Sequence, residues 1–128
     1  MAAVAVRGIR GATTVEADDR EAILDATREL LTAMVTENAV ATGDIAAALF
    51  TVTEDITAAF PAAAARDLGW DLVPLLDARE IPVPGALARC IRVLLLVNTE
   101  RGQAEISHVY LKKASALRED LRGGRRID

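Results

Sequence analysis

Residues 4–10, Val-Ala-Val-Arg-Gly-Ile-Arg, alternate in a way that predicts a strand, with Val6, Gly8 and Arg10 on one face and Arg7 and Ile9 on the other. Gly11 and the Thr13-Thr14 pair are expected to close it. From Asp19 to Asn38 the apolar set Ile23, Ala26, Leu30, Leu31, Met34 and Val35 recurs at helical spacing, and Asp18 or Asp19 is placed to cap the start. A short helix is expected over residues 42–48, running into the β-branched strand Leu-Phe-Thr-Val-Thr at 49–53. Residues 54–57 read as a polar linker. Pro61 suits the first turn of a helix reaching Leu68, and Gly69 suits its end. Residues 70–76 read as a third strand, and Pro82, Pro84 and Gly85 as a rigid connection. Residues 88–98 predict a long strand whose nearly continuous apolar content suggests burial on both faces. A loop at 99–103 leads to a last strand at 106–111, and 122–128 is a Gly-Arg tail expected to fray.

The resulting order, β, α, α, β, α, β, β, β, contains no internal repeat. It predicts a single domain over 1–128 of the α/β class, a mixed sheet carrying one long and two short helices. At 128 residues the chain has the length of one domain. Much of its 52% hydrophobic content is alanine, and Phe50, Phe60, Trp70 and Tyr110 are its only aromatics. A core with so few large side chains is expected to lean on a partner subunit.

Charge narrows the function classes. Lys112 and Lys113 are the only lysines beside 13 arginines, against 19 acids, for a net charge of −4. That balance argues against a nucleic-acid partner or an anionic membrane surface, which need a basic footprint, but leaves room for a small anion held by local charge. The single Cys90 and single His108 permit neither an intrachain disulfide nor a zinc cluster. No apolar run reaches 18 residues and no secretory leader pattern opens the chain, so a soluble cytoplasmic protein is expected.

The most informative residue is Arg92, inside Cys-Ile-Arg-Val-Leu-Leu-Leu-Val, because a charge in such a run is costly unless something pairs with it. It is open to three readings: a structural ion pair, a solvent-facing edge position, or an anion site. Arg10, flanked by Gly8 and Gly11, is a second case of the same kind. Glu80 precedes the Pro-rich turn and is either an acceptor in a pocket or a salt-bridge partner of the arginines around it. Tyr110 carries a hydroxyl that needs a partner when buried. His108 has no second ligand at metal spacing and reads as structural, and Cys90, with no neighbouring base, reads as an inert thiol. Ser107 sits in no Gly-x-Ser-x-Gly elbow, and no Gly-rich phosphate loop is present. What remains is an arginine-rich site with one carboxylate and one phenol, suited to a small dicarboxylate because guanidinium grips carboxylates through paired hydrogen bonds.

Several segments, in order, resemble the monofunctional homotrimeric chorismate mutases of the pseudo-α/β-barrel class. They are Val-Arg-Gly-Ile-Arg-Gly-Ala-Thr-Thr-Val-Glu (6–16), Phe-Thr-Val-Thr-Glu-Asp (50–55), Ala-Phe-Pro-Ala (59–62), Val-Pro-Leu-Leu (73–76), Arg-Glu-Ile-Pro-Val-Pro-Gly (79–85), Cys-Ile-Arg-Val (90–93) and His-Val-Tyr-Leu (108–111). The resemblance runs from residue 6 to Leu121. It implies a trimer with active sites between subunits and the cofactor-free [3,3] rearrangement of chorismate to prephenate, in phenylalanine and tyrosine biosynthesis. It further implies that Arg92 donates to the ether oxygen and that Glu80 accepts from the ring hydroxyl. Arg10 and Tyr110 would hold the enolpyruvyl carboxylate, Phe60 would form an apolar wall, Arg66 and Arg118 would draw in or cover the ring carboxylate, and Leu117 would belong to a segment closing over the substrate. Three positions depart from the pattern: Asp77 stands where Cys or Ser occurs in some members, Ala63 where a basic residue is frequent, and Glu119 where proline is usual. The alternative is a non-catalytic dicarboxylate-binding regulatory protein on the same fold, which would retain the carboxylate-gripping arginines but lose Arg92 or Glu80; both are present.

Overall fold

The computed structural model describes residues 3–117; Arg118, Glu119 and the tail at 122–128 lie outside the described residues. Its elements are β1 (Ala5–Thr14), α1 (Arg20–Glu37), β2 (Ile45–Val52), α2 (Ala62–Asp67), β3 (Leu75–Arg79), β4 (Cys90–Thr99) and β5 (Val109–Tyr110), with 3-10 turns at Thr42–Asp44, Gln103–Glu105 and Lys112–Ala114. The strands form one mixed sheet in the order β3-β2-β4-β1-β5. β4 pairs antiparallel with β1 and β2, while β1/β5 and β2/β3 are parallel.

α1 forms where the helical periodicity predicts. Asp19 caps it, its Oδ2 accepting from Ala22 N at 3.0 Å, and the buried stripe runs Ile23, Ala26, Leu30, Met34. Leu30 and Met34 pack on one face of the sheet with α2, around Ile9, Phe50, Val93, Leu95 and Val97, while Ile23 and Ala26 pack with Val15, Ile56 and Ile91.

Several expectations change. β1 does not close at Gly11 but runs on to Thr14. Gly11 is there for packing: a Cβ at this position would stand 2.4 Å from Met34 Sδ and 2.9 Å from Met34 Cε. The helix expected over 42–48 shrinks to the turn Thr42–Asp44, because Ile45 and Ala48 already pair with Val97 and Leu95 of β4. Tertiary pairing here overrides the helix preference of an alanine-rich stretch. Of the two short helices expected, at 42–48 and after Pro61, only the second forms as an α-helix.

The third strand shifts from 70–76 to Leu75–Arg79. Trp70 and Val73 plug the core from the loop after α2, and Pro74, which has no N–H for a ladder, precedes the strand while its carbonyl accepts from Ala48 N at 3.0 Å. The last strand shortens to Val109–Tyr110.

Among the described residues β4 is covered on one face and not on both. Ile91, Val93, Leu95 and Val97 are buried under the helices, whereas Arg92, Leu94, Leu96 and Asn98 alternate with them onto an open face. Cross-strand pairing sets Val6, Gly8, Arg10 and Ala12 of β1 beside them, then Leu49 and Thr51 of β2 and Leu76 and Ala78 of β3. One side of the sheet is thus a packed core and the other a largely apolar surface that carries the charges.

Candidate active site

Arg92 sits on the open face of β4 rather than in a buried run, with 38% of its side chain exposed. Its cross-strand partners are Ala12 of β1 and Thr51 of β2. Glu80 follows β3 directly, and its N–H donates to Val52 O at 2.8 Å, which prolongs the β2/β3 pairing by one residue. Its carboxylate is thereby turned toward the middle of the sheet. Thr51 Oγ1 donates to Glu80 Oε2 at 2.7 Å, and Arg92 Nε stands 3.6 Å from the same oxygen. The structure thus brings Arg92 and Glu80 together as an ion pair, whereas the edge reading of Arg92 does not hold: β4 is the central strand, paired on both sides, and Arg92 is solvent-facing only because it points to the open face. Thr51 is a residue the sequence reading missed, although the alternation in 49–53 sets it on the same face as Leu49.

Arg10 lies on the same face, opposite Leu94 and one ladder step along from the Ala12–Arg92 pair. Tyr110 pairs with Ala12 and packs with Ala12, Cys90 and Leu117. Leu117 packs against the same small cluster of Ala12, Cys90 and Ala114 as Tyr110. Burial pushes the Cys90 thiol up, with Arg92 pulling the other way, which leaves it protonated and inert. His108 is structural, as expected: its Nδ1 accepts from Arg10 N at 2.9 Å, and burial followed by the nearby Arg10 charge holds its pKa below the usual value. A neutral ring is the form able to accept that bond.

Phe60 and Arg66 are not brought to this cluster within one chain. They belong to the helical layer, where Ala62, Ala64 and Ala65 bury α2 against the core. Phe60 is 72% exposed and edges a groove of about 480 Å³ shared with Arg20, Ile56, Asp77 and Arg79. The segment in front of it is fixed by Asp18, which accepts from Thr57 N, Thr57 Oγ1 and Ala58 N at 2.7 to 3.0 Å. Asp77 lies on the helix face of β3, and its Oδ1 accepts from Ala62 N at 3.1 Å. Burial raises its carboxyl, opposed by that bond and by Arg66. The added carboxylate therefore faces away from the Arg92 pair and ties α2 to β3.

Among the described residues no group of three His, Cys, Asp or Glu is placed to hold a metal ion, and no helix is long and apolar enough to cross a membrane. The arrangement sets an arginine and a carboxylate side by side on a rigid sheet, the kind of fixed opposite charges that can act electrostatically without reorganising. The comparisons with known proteins narrow this further. The family model described as chorismate mutase type I matches residues 6–121. The chain is 59% identical over 117 residues to chorismate mutase AroH of Thermus thermophilus, covering 91% of this chain and 96% of that one. It is 47% identical over 117 residues to chorismate mutase AroH of Bacillus subtilis, covering 91% and 92%. A chorismate mutase structure from Clostridium thermocellum superposes with a TM-score of 0.86 at 46% identity, covering 87% of this chain and 99% of that one. The chain belongs to the type I chorismate mutase family.

Proposed function

We propose that this protein is a chorismate mutase that converts chorismate to prephenate by stabilising the transition state electrostatically, as a step toward phenylalanine and tyrosine. The observation that carries the mechanism is the Arg92–Glu80 pair, with its two charges fixed 3.6 Å apart on the open sheet face. In the rearrangement the ether C–O bond breaks while a C–C bond forms within one molecule, so no proton or electron has to be supplied. Negative charge gathers on the ether oxygen and positive charge on the ring. Arg92 donates to the first, and Glu80 accepts from the ring hydroxyl and faces the second.

Arg10 and Tyr110 hold the enolpyruvyl carboxylate, and Leu117 with Arg118 covers the substrate. Gripping both ends selects the compact conformer in which the reacting carbons meet, which adds a proximity effect. Phe60 supplies the apolar wall and Arg66 attracts the ring carboxylate. Because these two stand in the other layer of the same chain, the reading is a homotrimer in which each site combines the open-face residues of one subunit with the helical-layer residues of its neighbour. The exposed Val6, Leu76 and Leu94 on the open face support such an assembly. We assign the protein to the cytoplasm, in keeping with a lone thiol at Cys90.

Arg92→Lys tests the mechanism. It keeps the charge and loses the planar guanidinium, so kcat is expected to fall by the equivalent of about 2.7–4 kcal/mol, the scale of one oxyanion donor. Near-normal kcat would mean that Arg92 does not serve the ether oxygen.

A further inference from the structure

The turn that feeds β4 is strained and heavily braced. Arg89, directly before the strand and three residues before Arg92, has φ 45°, in the left-handed region that residues with a side chain seldom adopt. Asp55, in the loop after β2, accepts from Arg89 N with both carboxylate oxygens, at 2.9 and 3.1 Å. Thr53 Oγ1 donates to the same carboxylate and accepts from Cys90 N at 3.0 Å. The backbone closes the arrangement: Thr53 N donates to Cys90 O at 3.1 Å, Val15 N to Arg89 O at 3.0 Å, and Arg89 Nε to Val15 O at 3.0 Å. Two consecutive backbone donors, those of Arg89 and Cys90, therefore end on one carboxylate, the first directly and the second through Thr53.

We propose that Asp55 is a positioning residue for the rearrangement, holding the left-handed turn at Arg89 so that β4 presents Arg92 to the open face beside Glu80. The proposal rests on the reading of Arg92 as the donor to the ether oxygen. The local geometry favours Asp55 over a general packing role, because its side chain is exposed and buries no apolar area that its loss would forfeit. The neighbouring chain partly desolvates its carboxyl and so raises it, but the bonds from Thr53 and Arg89 outweigh this and hold it below the ordinary value, so it is ionised when the site works. The same short segment also serves the other half of the pair: Val52 O anchors Glu80 N, and Thr51 holds the Glu80 carboxylate. Residues 51–55 are thus the common mount of both charges.

A displaced donor loses its effect in the transition state more than in the ground state, so the expected signature is in kcat. Asp55→Ala is expected to lower kcat between about tenfold and a hundredfold with KM changed less than about twofold, the scale of a donor misplaced by about an ångström. In an Arg92→Lys background the same change is expected to lower kcat less than about twofold, since the group it positions is already gone. Asp55→Asn, which keeps the shape and one acceptor, is expected to recover part of the loss and decides the matter if Asp55→Ala fails to fold. An equal kcat loss in both backgrounds, a change in KM alone, or wild-type kcat in Asp55→Asn together with Asp55→Ala would overturn the proposal. Wild-type kcat in Arg92→Lys alone would instead remove the reading beneath it.

Discussion

Glu80 is fixed before any substrate arrives: its backbone by Val52, its carboxylate by Thr51, and its charge by Arg92. A carboxylate so held need not reorganise as positive charge grows on the ring, which is how a preformed site lowers a barrier. Two further aspartates do different work: Asp18 pins the segment before Phe60 and Asp77 pins the first residue of α2. Neither faces the Arg92 pair. Gly11 shows how tightly a single position is constrained, because the space a methyl group would need is filled by the end of the Met34 side chain, itself fully buried, with Leu30 Cδ1 3.1 Å away. Gly11→Ala is expected to destabilise the fold by about 1–3 kcal/mol, the scale of core overpacking. Urea denaturation reads this as a lower midpoint at unchanged slope, and an unchanged midpoint would mean that α1 can shift to make room.

At the scale of elements, what a short window can encode was legible and what depends on distant pairing was not. α1 was readable because its periodicity and its Asp19 cap are local, and α2 because proline and glycine bracket it. The alanines at 46–48 carry no local mark of strand, and only β4 alongside makes them one. Trp70 and Val73 have strand-like composition but serve as plugs from a loop. The site divides in the same way. Arg92 and Glu80 were identifiable as a charge in an apolar run and a carboxylate at a turn, together with the family resemblance. That they meet over Thr51, and that Asp55 braces the turn at Arg89, follows from register and a left-handed residue, which no window of sequence displays.

Among the described residues of the molecule, helices cover one face of the sheet and none covers the other, where Val6, Leu76 and Leu94 are exposed beside the Arg92–Glu80 pair. Phe60 and Arg66 point the other half of the proposed site away from that pair. A shared site reconciles both facts, and light scattering is expected to give a mass of three chains; a stable monomer of full activity would contradict shared sites. Adding the purified protein to chorismate and following loss of the diene absorbance with formation of prephenate tests catalysis itself. Conversion far faster than in buffer alone is expected, and a rate no greater than that of buffer would mean that the protein is not a chorismate mutase.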